Sequence, residues 1–123
     1  MPKQVLDVGN CGYDHGSLKS LIERNFDAKV LQSHGPEDTL KMLRQQTFAL
    51  VVINRKLDRD HSDGMDILKE MKADETMKDV PVMMLSNFED AQAAAEAAGA
   101  VPGFGKRDLG KETTLKKLEP FLG

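Results

Sequence analysis

Phe48-Ala49-Leu50-Val51-Val52-Ile53-Asn54 is the longest nearly apolar run near the middle of the chain. Six residues with hardly a polar atom lead into an amide. The run is far shorter than the ~20 residues of a membrane span, and its β-branched members favour a strand. A strand apolar on both faces belongs at the centre of a parallel sheet covered by helices on each side. The segments around it should therefore alternate between strand and helix.

Upstream, Gln4 to Val8 reads as a strand, and Leu18, Leu21, Ile22 and Phe26, spaced by three and four, mark one face of a helix. Ala28 to Leu31 is a short second strand. Gly35-Pro36 then opens a helix carrying Leu40, Met42 and Leu43, because proline suits a first helical turn. Downstream, Asp63 is placed to cap a helix over Gly64 to Met71, whose Met65, Ile67, Leu68 and Met71 share a side. Pro81 introduces a strand, Val82 to Leu85. Ser86 and Glu89, three apart, have the spacing of a capping box before the Ala-rich helix that Gly99 ends. Val101 to Gly105 fits a short fifth strand, and Leu109 to Leu122, with Leu115, Leu118 and Phe121 in register, a closing helix. Five such alternations specify an α/β doubly wound parallel sheet in one domain over residues 1–123.

Composition narrows the function classes. Seventeen Lys and Arg against twenty Asp and Glu leave a formal charge of −3, without the basic surplus that phosphate backbones demand, so no direct nucleic-acid contact is expected. Met1-Pro2-Lys3-Gln4 leads into no signal-peptide run, which points to a cytoplasmic chain making no membrane contact. Cys11 is alone and can form no internal disulfide. With no Trp and five Phe, the core must be aliphatic and Met-rich.

In a doubly wound sheet the functional crevice lies at the carboxyl ends of the strands. The residues there are Gly9 and Asn10, then Asn54, then Ser86 and Asn87, then Lys106. With Asp63-Gly64, Pro81 to Ser86 and Gly99-Ala100 added, nearly the whole chain resembles the receiver domain of two-component response regulators. The resemblance implies a five-stranded flavodoxin-like sheet of order 2-1-3-4-5. It implies an acidic pair holding Mg²⁺ after strand one, a phosphoacceptor Asp after strand three, a Ser or Thr after strand four and a Lys after strand five. Ser86 and Lys106 match that pattern. Gly9 and Asn10 stand where the acidic pair would be, Asn54 stands at the phosphoacceptor position, and Gly103 takes the place of the aromatic switch.

An amide is a poor nucleophile beside a carboxylate, so Asn54 should not accept a phosphoryl group. Mg²⁺ prefers anionic oxygens, and a hydrogen with two amides offers none, so no metal and no cofactor are expected. The resemblance thus points to a degenerate pocket of Gly9, Asn10, Asn54, Lys56, Ser86 and Lys106. The chain would be a non-enzymatic pseudo-receiver, its partner a histidine kinase or downstream effector, or a second copy through helix four, strand five and helix five. Lys56 or Arg55 could supply a fixed cation at the vacated metal position, or both could be solvated loop charges.

Two alternatives remain on the sequence: another carboxylate, Asp58 or Asp7, could accept the phosphoryl group, or the domain could bind a small ligand such as a flavin. The second would use the glycines of Gly9 to Ser17, although their spacing matches neither a P-loop nor a dinucleotide fingerprint. Asp7 lies two residues before Gly9 on the same side of its strand and, if buried, needs a partner, with Lys106 and Lys56 the candidates. Cys11 and His15 read most simply as a small buried thiol and an exposed imidazole. Asp58, Asp60, His61 and Asp63 are metal-ligand types without a rigid ligand spacing, best read as solvated charges.

Overall fold

A computed structural model describes residues 2–123. Strands and helices alternate as β1 (Lys3–Val8), α1 (Gly12–Asn25), β2 (Ala28–Ser33), α2 (Pro36–Gln45), β3 (Leu50–Asn54), α3 (Gly64–Ala73), β4 (Val82–Leu85), α4 (Glu89–Ala97), β5 (Val101–Phe104) and α5 (Glu112–Leu122). The sheet is parallel throughout, in the order β2-β1-β3-β4-β5. That is the doubly wound architecture the alternating periods predict.

Every residue of β3 is buried, as expected of a central strand covered on both faces. Leu6, Val8, Val51, Ile53, Val82 and Met84 face α2, α3 and α4, while Val5, Leu50, Val52, Met83 and Leu85 face α1 and α5. The same alternation puts Asp7 on the α1 side, fully buried among aliphatic residues. Register does the rest of the positioning. Val8 lies level with Ile53 and Asn54 with Leu85, so Gly9, Asn54 and Ser86 arrive together at the carboxyl edge.

The helix starts show how local chemistry sets boundaries. Asp63 caps α3, its Oδ1 accepting from Met65 N at 2.8 Å. Gly64 allows α3 to begin hard against β3, because a Cβ there would overlap the Asn54 carbonyl oxygen. Gly99, at φ +110°, closes α4 in a conformation that side-chain-bearing residues avoid. The capping box expected of Ser86 and Glu89 is not formed. Phe88 is the N-cap of α4 without a side-chain bond, and Ser86 Oγ accepts from Phe88 N at 3.2 Å in a tight turn. The closing helix expected from Leu109 begins at Glu112 instead, after a 3-10 turn over Lys106–Asp108 and Gly110 at φ +90°. Finally, Gly12 and Gly16 lie inside α1 rather than in an open loop.

Candidate functional site

Asn54, Lys56, Ser86 and Lys106, from the ends of β3, β4 and β5, line one groove of about 210 Å³. The structure therefore brings these four together as the sequence suggests. Gly9 and Asn10 stand beside them, joined through the Asn54 Nδ2, which donates to the Gly9 carbonyl at 3.1 Å. The same carbonyl accepts from Asp58 N at 3.0 Å, tying the loop after β3 to the end of β1.

What occupies the space at Gly9 is a leucine. Leu57 is buried to 1% exposure, and a Cβ on Gly9 would overlap its Cδ2 and lie 3.3 Å from its Cα. Gly9 itself is at φ +78°, in the left-handed region. The loop from Arg55 to Asp63 folds back to deliver that leucine: Leu57 N donates to Ser62 O at 2.9 Å, and Lys56 bridges Asp63. Glycine at position 9 and leucine at position 57 are thus one packing arrangement.

Neither loop cation fills the pocket. Arg55 Nη1 is 2.6 Å from Asp63 Oδ1, so its charge is engaged at the cap of α3. Lys56 lines the groove but is exposed, with no ion pair among the described residues. Lys106 is turned aside as well, its Nζ 2.8 Å from Asp14 Oδ2 in the first turn of α1. That bond, supported by the Cys11 thiol at 3.4 Å, holds the Asp14 carboxyl below its ordinary pKa.

Asp7 finds neither of the lysines proposed for it. Its Oδ1 accepts from Asn10 Nδ2, and its Oδ2 lies 2.8 Å from His15 Nδ1. Burial raises the Asp7 pKa, against the two hydrogen bonds, which lower it. His15 is therefore half-buried and engaged, while Cys11 is exposed, the reverse of the sequence expectation. Asn10 is buried too, and its Oδ1 has no partner among the described residues. The side-chain oxygens that Asn10 and Asn54 offer a cation are neutral amide oxygens, Gly9 offers none, and Leu57 fills the space at Gly9. These residues do not fit Mg²⁺.

On the other side of the groove, Gln92 of α4 spans the ends of β4 and β5. Its Nε2 donates to Met84 O at 2.8 Å and Ser86 O at 3.1 Å, and its Oε1 accepts from Gly103 N at 3.2 Å. A Cβ on Gly103 would overlap the Met84 carbonyl oxygen, so no aromatic side chain can be built at that position on this backbone. Leu57, Asp14, His15 and Gln92 are the residues that sequence reasoning missed. A signal existed for two of them: the charge of Asp7 inside an apolar strand demands a partner, and Gln92 is the one amide on a helix of alanines and acids.

The sequence matches the response regulator receiver domain family over residues 15–104. The chain belongs to that family. The receiver fold is shared with solved structures at low identity. One is a chain from Chloroflexus aurantiacus J-10-fl described as a response regulator, with a TM-score of 0.86, 17% identity and 98% of each chain covered. Another is the Vibrio cholerae chemotaxis protein CheY4, with a TM-score of 0.81, 18% identity and coverage of 99% of this chain and 100% of that one. A third is NtrX from Brucella abortus, with a TM-score of 0.82 and 18% identity, where 99% of this receiver covers 27% of the longer chain. Comparison with curated proteins finds no match. Among the described residues, no helix of the receiver is long and apolar enough to cross a membrane.

Proposed function

We propose that this receiver is a pseudo-receiver: a protein-interaction module over residues 1–123 that works without aspartyl phosphorylation. Receivers are in general signalling modules that meet kinases and effectors rather than enzymes, and this one keeps the fold while lacking the chemistry. The observation that carries the reading is the packing of Leu57 against Gly9, which closes the place where an acidic side chain and its metal would sit. Asn54 offers no carboxylate, its amide is bonded to the Gly9 carbonyl, and Lys106 is paired with Asp14. On the opposite edge Gln92 holds α4, β4 and β5 together in place of a movable aromatic residue. With no phosphoryl group to favour one state over another, the partner-binding surface is held in a single arrangement.

The rival acceptors are poorly placed. Both oxygens of Asp7 are bonded inside a fully buried site. Asp58 is half-buried, with its Oδ1 enclosed and 3.9 Å from His34 Nδ1. The test is incubation with acetyl phosphate or beryllofluoride in the presence of Mg²⁺. We expect no gain of a phosphoryl mass and no amide shifts at Ser86 or Lys106. A stoichiometric mass gain, or shifts centred on those two residues, overturns the pseudo-receiver reading.

A further inference from the structure

Among the described residues, the two large hydrophobic side chains that stand out into solvent, Tyr13 at 84% exposure and Phe88 at 71%, belong to the carboxyl edge of the sheet. Tyr13 lines a groove of about 590 Å³ between α1 and the turn before α5, and Phe88 lines the strand-end groove. Lys106 lines both, so the two grooves meet across a single side chain. Solvated aromatic rings on either side of a shared concave surface are what an interface centre looks like before its partner arrives.

The charged residues lining the strand-end groove are all cations, Arg55, Lys56 and Lys106, of which Arg55 is paired with Asp63 and Lys106 with Asp14. Among the described residues, Lys56 is exposed with no ion pair, and Arg107 is exposed, donating from Nη2 to the Asn87 carbonyl at 3.1 Å. Arg24 lines the α1 groove. The acid on the lining, Asp14, is already held by Lys106. A chain of formal charge −3 thus presents a groove whose charged lining is cationic, with Lys56 its unpaired cation among the described residues, beside the exposed ring of Phe88. Charge of this kind steers an oppositely charged partner and fixes its register, while the rings supply contact area.

We propose that this surface docks an acidic segment of a partner protein, an Asp or Glu carboxylate seated between Lys56 and Ser86 with an apolar neighbour against Phe88. The inference rests on the pseudo-receiver reading, since it assigns a partner's carboxylate to a groove that never carries a phosphoaspartate of its own. Ser86 suits the role: its Oγ accepts from Phe88 N, which leaves the hydroxyl hydrogen free to donate. A nucleic acid fits less well, because three or four cations flanked by aromatic rings fall short of a phosphate-tracking stripe.

The experiment is a titration of the whole chain with the capped peptide Ac-Glu-Glu-Leu-Glu-Glu-NH2, followed by amide shifts, with the glutamine analogue Ac-Gln-Gln-Leu-Gln-Gln-NH2 in parallel. Saturable shifts at Lys56, Ser86 to Phe88 and Lys106 are expected for the acidic peptide only, weakening as salt is added. Exposed charges contribute modestly, so Lys56→Gln should weaken binding about three- to fivefold. Phe88→Ala should weaken it at least as much, and Lys41→Gln on α2 should have no effect. All three positions are exposed, so thermal melts should show the variants folded. Absence of binding, equal binding of the glutamine peptide, or shifts on another face overturns the proposal. Tighter binding to single-stranded DNA or to phosphatidylserine vesicles overturns it in favour of those partners. None of these outcomes touches the acetyl phosphate test, so failure here and failure of the pseudo-receiver reading are separable.

Discussion

Asp7 puts a carboxylate into a strand otherwise closed by Val5, Leu6 and Val8. Burial of a charge is unfavourable unless it is bonded, and Asn10 and His15 supply the bonds from the loop and from α1. Because the folded-state pKa lies above the ordinary 3.8, the folded protein holds this proton more tightly than the unfolded chain. The Asp7 contribution to stability is therefore full below 3.8 and is lost as pH rises through the raised folded value. Asp7→Asn removes that pH-dependent component. Melting temperatures of wild type and variant measured from pH 4 to pH 7 should diverge, the wild type losing ground to the variant as pH increases. Parallel curves would mean that Asp7 does not titrate above its ordinary range. The periodicity of β1 placed Asp7 on the same side as Gly9, but gave neither its depth nor its partner. His15 reaches it from a helix that the sequence alone begins too late.

Gln92 matters at the scale of elements. Order β2-β1-β3-β4-β5 leaves β2 and β5 as edge strands, whose free backbone groups invite unwanted pairing. On β5 the Gly103 N–H is taken by Gln92 and its carbonyl by Lys117 Nζ at 2.9 Å. On β2 the Val30 N–H donates to Glu23 Oε2 at 2.9 Å. Side chains thus blunt both edges, which favours side-chain contacts over strand addition wherever α4, β5 and α5 meet a partner or a second copy. Gln92→Ala leaves half-buried carbonyl groups of Met84 and Ser86 without this donor, and should cost about 1–3 kcal/mol. Hydrogen exchange at Gly103 should accelerate more than at Val52 in the central strand. Equal protection in variant and wild type would show that Gln92 does not hold this edge. The strands and most helices were legible from period and from Gly and Pro. The Gln92 bridge was not, because it depends on a bulge between β4 and β5, where Met83 and Leu85 face Val101 and Phe104. Nothing in a local sequence pattern reports that slip.

Across the whole molecule, the arrangement at Gly9 links two distant parts of the chain, the end of β1 and the loop after β3. The sequence showed that carboxylates are missing at Gly9, Asn10 and Asn54. It could not show that Leu57 had moved into the space, since a leucine in a charged loop carries no mark of where it packs. The difference has a thermodynamic consequence, because a ligand that binds only the folded state stabilises it in proportion to its affinity. At a concentration a hundredfold above its Kd a phosphoryl mimic would add about 2.7 kcal/mol. For a domain of this size such a gain raises Tm by at least several degrees. Here, beryllofluoride with Mg²⁺ should leave Tm unchanged, and the same should hold for Asn54→Asp. A carboxylate at position 54 restores the nucleophile in name, yet Leu57 still covers Gly9 and no acidic pair holds the metal. That variant also loses the amide donor to the Gly9 carbonyl and sets a negative oxygen beside it. It should melt lower than wild type, by the equivalent of about 1–3 kcal/mol. A Mg²⁺-dependent rise in Tm for Asn54→Asp would show that a single carboxylate suffices, and that Leu57 yields its place to a metal ion.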